Sequence, residues 1–155
     1  MFCLMFFIIR IWRKEKHLKN CPVHIFTTHF YSTLREHDVK GVTSWTATKN
    51  IDIFRKKFIF IPVNQGLHWS LCCVVNPGAI LNNVRALNKD PGDDKLYPCI
   101  LFFDSLGNAH PKNRIAVNLR RWLDSEWNRL EKGSNEDECS PFKKAAMEVH
   151  QPRGE

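Results

Sequence analysis

Three short apolar runs, rich in aromatic and β-branched residues, constrain the middle of this chain more than any other feature. Lys57 to Val63 (KFIFIPV), Trp69 to Val75 (WSLCCVV) and Cys99 to Phe103 (CILFF) each read as a strand. The first is expected to be buried and to stop at Pro62, and the second to end in the turn Asn76-Pro77-Gly78. His68 stands immediately before the second run and Asp104 immediately after the third. A histidine at such a junction can act as a general base. A carboxylate that accepts its other ring N–H fixes the tautomer, which gives the base-and-orienter half of a hydrolytic triad. Such a pair requires the two side chains to converge, with a carboxylate oxygen roughly 2.6–3.2 Å from an imidazole nitrogen.

Around the strands the periodicity is helical. Pro22 at a first-turn position, then Val23, Phe26, Phe30 and Leu34, predicts a helix over about 23–37, with Gly41 ending or following it. Ile115, Leu119, Trp122, Leu123, Trp127 and Leu130 share one face of a second helix over about 113–131, closed by Gly133. That stripe reads as core, not as a binding surface. Residues 79–96, with Asn82-Asn83 and Lys89-Asp90-Pro91-Gly92-Asp93-Asp94-Lys95, form a polar, turn-rich insertion. It separates His68 from Asp104 in sequence without separating them in space, because closure cost grows slowly with loop length. The fold class is α+β: a short mixed or antiparallel sheet packed against helices. Residues 1–22 are an apolar and basic N-terminal remnant and 23–131 the core. Residues 132–155 are a loosely ordered tail in which Phe142 to Val149 can form one or two turns.

Composition excludes several function classes. A chain of 155 residues, 43% hydrophobic and 25% charged, is one globular domain's worth of sequence. Cys3, Cys21, Cys72, Cys73, Cys99 and Cys139 contain no C-x-x-C pair, which suits free thiols in a reducing compartment, the nucleus or cytoplasm. The seven histidines have no metal-ligand spacing, so neither a metal nor another cofactor is expected. The net charge of +7 gathers at Arg10, Arg13, Lys14, Lys16 and Lys19 and again at Arg114, Arg120 and Arg121. No nucleic-acid-binding module accompanies these clusters, and specific nucleic-acid binding is not expected; an acidic protein partner fits them through steering. Met1 to Trp12 (MFCLMFFIIRIW) is apolar but too short to span a bilayer, and its cations follow the apolar run, the reverse of a secretory signal. It reads as a core helix or strand, and no membrane partner is expected.

The motifs Pro62-Val63-Asn64, His68-Trp69-Ser70-Leu71 and Phe103-Asp104-Ser105-Leu106-Gly107, in that order and each beside an apolar run, resemble the ubiquitin-like-protein-specific cysteine proteases, relatives of the adenovirus protease. The resemblance extends from Val23-His24-Ile25-Phe26 and Phe30-Tyr31 through Trp45-Thr46 and Asn50-Ile51-Asp52-Ile53-Phe54 to Leu119-Arg120-Arg121-Trp122-Leu123. It implies an incomplete papain-like (adenain-like) domain that hydrolyses the bond after the C-terminal Gly-Gly of SUMO or another ubiquitin-like protein. His68 would be the base, Asp104 its orienter, and Trp69 a wall of the tunnel that takes the Gly-Gly tail. Trp45 and Asn64 read as structural.

The family's order is His, Asp, Gln and then a cysteine within Asp-Cys-Gly, and no Asp-Cys-Gly occurs in this sequence. The expectation is therefore a chain that stops before its nucleophile and is inactive as written. Gln151 lies near the place of the family's oxyanion-stabilising Gln but lacks the surrounding motif and is left unassigned. Cys139 is a poor substitute nucleophile. It follows Glu136, Asp137 and Glu138, whose charges disfavour a thiolate, and Pro141 stands two residues on. The alternative is a non-catalytic fragment or pseudoenzyme that holds a ubiquitin-like protein.

Overall fold

The structure is a computed structural model that describes residues 21–80, 97–107, 109–130, 142 and 147–152. Met1 to Trp12, Cys139, Gly133 and nearly all of the 79–96 insertion lie outside the described residues. Five strands and two long helices appear in the order β1 (Val23–Ile25), α1 (His29–Ala47), β2 (Phe58–Gln65), β3 (His68–Val75), β4 (Cys99–Asp104), α2 (Lys112–Arg129) and β5 (Val149–His150). One mixed sheet runs β1-β2-β3-β4-β5. The β2–β3 and β3–β4 pairs are antiparallel, and β1 and β5 add to the two edges in parallel. The expected α+β class, with a short mixed sheet against helices, is what the chain forms.

Strand alternation decides which residues face the helices. Ile59, Ile61 and Val63 of β2, Cys72 and Val74 of β3, and Ile100 and Phe102 of β4 join one core with the helices. From α1 come Phe30, Tyr31, Leu34 and Val42, and from α2 Ile115, Ala116, Leu119, Trp122, Leu123 and Trp127. The predicted α2 stripe is thus core, with Leu130 partly buried against it. Trp45 also packs, its ring edge-on to Phe30 at 5.6 Å. His68, Ser70 and Asp104 continue the same alternation, so this apolar face ends in polar groups at one end of the sheet.

Four local expectations are corrected. Val23 to Ile25 is not the first turn of a helix but strand β1, in register with Phe58–Phe60. The carbonyl of Pro22 accepts the N–H groups of Lys57 and Phe58, and Phe26 N–H donates to Phe60, so the segment's hydrogen bonds go to β2. The helix then starts at His29 and runs past Gly41 to Ala47. A Cβ at Gly41 would lie 2.6 Å from that of His37, so this glycine serves close packing and not termination. The break is at Asp38 (φ 56°), whose carboxylate accepts the Val39 N–H at 2.8 Å and pairs with Arg121 of α2 at 2.5 Å.

Pro62 does not stop β2, which continues to Gln65 with Pro62 opposite Leu71. Strand β1 covers β2 only at 58–60, so beyond Phe60 no described strand needs an N–H from that side. Finally, Val149 is not part of a turn over Phe142 to Val149 but belongs to strand β5. Phe142 and Met147 are core residues, and Val149 and His150 pair with Ile100 and Leu101.

Candidate active site

Two tight turns place the site. Gln65 and His68 pair across a two-residue hairpin whose central residues, Gly66 and Leu67, have φ of 58° and 65°. Positive φ at both positions marks a type I′ turn, the one whose twist matches antiparallel strands. It fixes the β2–β3 register and sets His68 as the first residue of β3. The second turn is Asp104-Ser105-Leu106-Gly107. The Asp104 carbonyl accepts the Gly107 N–H at 3.1 Å, and its side chain accepts the Leu106 N–H at 3.1 Å. Asp at the first position and Gly at the fourth is the preferred chemistry of such a turn, and Gly107 has φ 79°. The same carboxylate that shapes the turn is thereby held for His68.

The expected convergence is present. His68 Nε2 lies 2.6 Å from Asp104 Oδ1; the Asp104 side chain has no solvent exposure and that of His68 has 18%. Oδ2 accepts the backbone N–H of His110 at 3.2 Å. Burial alone would raise the Asp104 pKa, but the His68 hydrogen bond, the N–H groups of Leu106 and His110 and the His68 charge outweigh it. The carboxyl is held below its ordinary value. With Nε2 committed to the carboxylate, Nδ1 is the ring nitrogen left to exchange a proton with a reacting group.

Trp69 neighbours His68 in sequence, half-buried and opposite Asn64, but strand alternation sends its side chain to the other face of β3. Gln151, left unassigned from sequence, follows β5 and donates its amide N–H to the Gly107 carbonyl, while Lys112 Nζ donates to its Oε1 at 3.2 Å. It therefore lies against the loop that leaves Asp104.

His110 is the residue that sequence reasoning missed. It is buried, with Nδ1 2.7 Å from Ser70 Oγ and Nε2 2.9 Å from the Gln65 carbonyl oxygen. A carbonyl only accepts, so Nε2 carries the proton, and in the neutral ring Nδ1 accepts from the Ser70 hydroxyl. The signal in sequence was slight: a histidine before a proline, a few residues past the Asp-Ser-Leu-Gly turn.

The described thiols are poor nucleophiles. Cys21, Cys72 and Cys73 are buried free cysteines, and burial pushes Cys72 far up, Cys73 to about 12, and Cys99 also upward. No group of metal-binding side chains occurs among the described residues, and none of their helices is long and apolar enough to cross a membrane.

The chain is also similar to known proteins. Residues 3–153 match the Ulp1 protease family, C-terminal catalytic domain. A probable ubiquitin-like-specific protease 2B of Arabidopsis thaliana is 32% identical over 145 residues, covering 86% of this chain and 14% of that protein. Ubiquitin-like-specific protease 1C of the same plant is 34% identical over 128 residues, covering 77% of this chain and 20% of that protein. Among solved structures, a de-sumoylating protease superposes with a TM-score of 0.59 at 25% identity, covering 95% of this chain and 48% of that one. The chain thus spans about half the length of that solved structure and a smaller share of the curated relatives.

Proposed function

From the premise that this chain belongs to the Ulp1 protease family, we propose that it supplies the base half of a cysteine peptidase acting after the C-terminal Gly-Gly of SUMO or a related modifier. The observation that carries the reading is the 2.6 Å contact between His68 Nε2 and Asp104 Oδ1, which leaves Nδ1 for a thiol. In the reaction His68 takes the thiol proton as the thiolate attacks the carbonyl of the terminal glycine, then gives it to the leaving amine. Asp104 stabilises the imidazolium between the two steps. Trp69 serves the flat, side-chain-free tail from the adjoining surface. The setting is intracellular, in the nucleus or cytoplasm, where a thiol stays reduced.

The thiol itself is not among the described cysteines. Cys139 follows Glu136, Asp137 and Glu138, whose charges disfavour a thiolate, and the 155-residue chain is expected to leave a SUMO–amide reporter intact. The same chain extended by the family's Asp-Cys-Gly segment is expected to cleave it. Failure of a folded, extended chain to cleave any ubiquitin-like reporter would reject the reading. The second reading, a non-catalytic holder of a ubiquitin-like protein, is favoured by the buried, high-pKa described thiols. It predicts SUMO binding by the 155-residue chain without turnover.

A further inference from the structure

We propose that His110 is a positioning residue for the His68–Asp104 pair, its ring tying the hairpin before His68 to strand β3 and its backbone closing over the Asp104 carboxylate. The inference rests on the reading of that pair as base and orienter. Its warrant is where the bonds of His110 go. Nε2 donates to the carbonyl of Gln65, which is the cross-strand partner of His68. Nδ1 meets the hydroxyl of Ser70, which is the cross-strand partner of Asp104 and is itself buried. The backbone N–H holds Oδ2 of Asp104 while His68 and Leu106 hold Oδ1. The two imidazoles meet edge to face at 4.9 Å.

One side chain therefore touches the register partner of each member of the pair, and its backbone touches one member directly. Holding the carboxylate from both oxygens stops it rotating, which is what a fixed tautomer at His68 requires. A histidine that only filled space would not need all three of its polar nitrogens engaged at this one end of the sheet. Removing the ring takes one donor from the Gln65 carbonyl, leaves the buried Ser70 hydroxyl without its imidazole partner and frees the loop that carries the His110 N–H.

The test is NMR on the full 155-residue chain, reading two signals that need neither thiol nor substrate. These are the solvent exchange of the His68 Nε2–H proton and the titration midpoint of the Asp104 carboxyl carbon. In His110→Leu, of similar size without polar atoms, the His68 proton is expected to exchange about tenfold faster or more, and the Asp104 midpoint to rise by about half a pH unit to one unit. His110→Gln, which can donate to Gln65 and accept from Ser70, is expected to restore both. A folded His110→Leu chain with both signals unchanged would overturn the proposal. Should that variant fail to fold, Ser70→Ala, which removes only the Nδ1 contact, decides: faster exchange supports the proposal and unchanged exchange overturns it. Absence of peptidase activity in an extended chain would leave these signals untouched, so the two readings fail separately.

Discussion

At His68 the nitrogen that is committed and the nitrogen that is left decide what the pair can do. Nε2 is committed to a buried carboxylate, so charge that develops on the ring during the reaction is balanced by Asp104. Asp104→Asn keeps the shape and an acceptor but removes the charge. In a cysteine-bearing extended chain it is expected to lower reporter kcat by about 10²- to 10⁴-fold, a loss that steady-state kinetics would show. A second residue-scale prediction concerns His24 in β1. Burial, then the charges of Lys56 and Lys49, depress its pKa from an ordinary 6.5 to about 4. Between those values the unfolded chain binds a proton that the folded chain refuses. The stability His24 allows is thus complete above about 6.5 and is lost as pH falls through that window towards 4. His24→Phe is expected to flatten urea midpoints measured across pH 4 to 6.5; an unchanged slope would mean that His24 is not the group responsible.

At the scale of elements, the strands were legible because their chemistry is local. The runs ending in Val63, Val75 and Phe103 are β-branched and aromatic, and the turns after them carry Gly and Asp where the backbone demands them. Helix α2 was legible for the same reason, since its whole stripe repeats at helical spacing. Strand β1 was not, because Phe26, Phe30 and Leu34 do fit a helix, and what makes Val23 to Ile25 a strand is a parallel partner far along the chain. His68 and Asp104 were legible through their strand ends, whereas His110 is a loop residue whose meaning lies in Ser70 and Gln65, which no spacing announces. The hairpin yields its own prediction. Leu67 is fully exposed at φ 65°, a conformation costly for a residue with a branched side chain and no local hydrogen bond. Leu67→Asn is expected to stabilise the chain by about 0.5–1 kcal/mol, a gain of about 1–4 °C in Tm by calorimetry. A fall in Tm would show that Leu67 makes contacts that outweigh the strain.

Over the whole molecule, both helices press one face of the sheet, and the apolar part of that layer positions its polar end. Trp122 is central to the layer, 1% exposed and edge-on to Phe26 and Phe30 at 5.3 and 5.0 Å. Its indole N–H finds no hydrogen-bond partner among the described residues. Trp122→Ala should therefore cost about 3–5 kcal/mol in urea unfolding, and Trp122→Phe less than about 2 kcal/mol, since losing an unsatisfied N–H offsets part of the lost volume. Equal losses in the two variants would argue against that packing. The central claim, that His68 and Asp104 serve a thiol in SUMO-tail hydrolysis, is tested most directly by a SUMO C-terminal electrophilic probe with the adduct mapped by mass spectrometry. The account predicts no adduct on the 155-residue chain, and in the extended chain an adduct on the Asp-Cys-Gly cysteine that His68→Ala abolishes. An adduct on Cys139 of the 155-residue chain that depends on His68, or labelling of the extended chain that ignores His68→Ala, would contradict it.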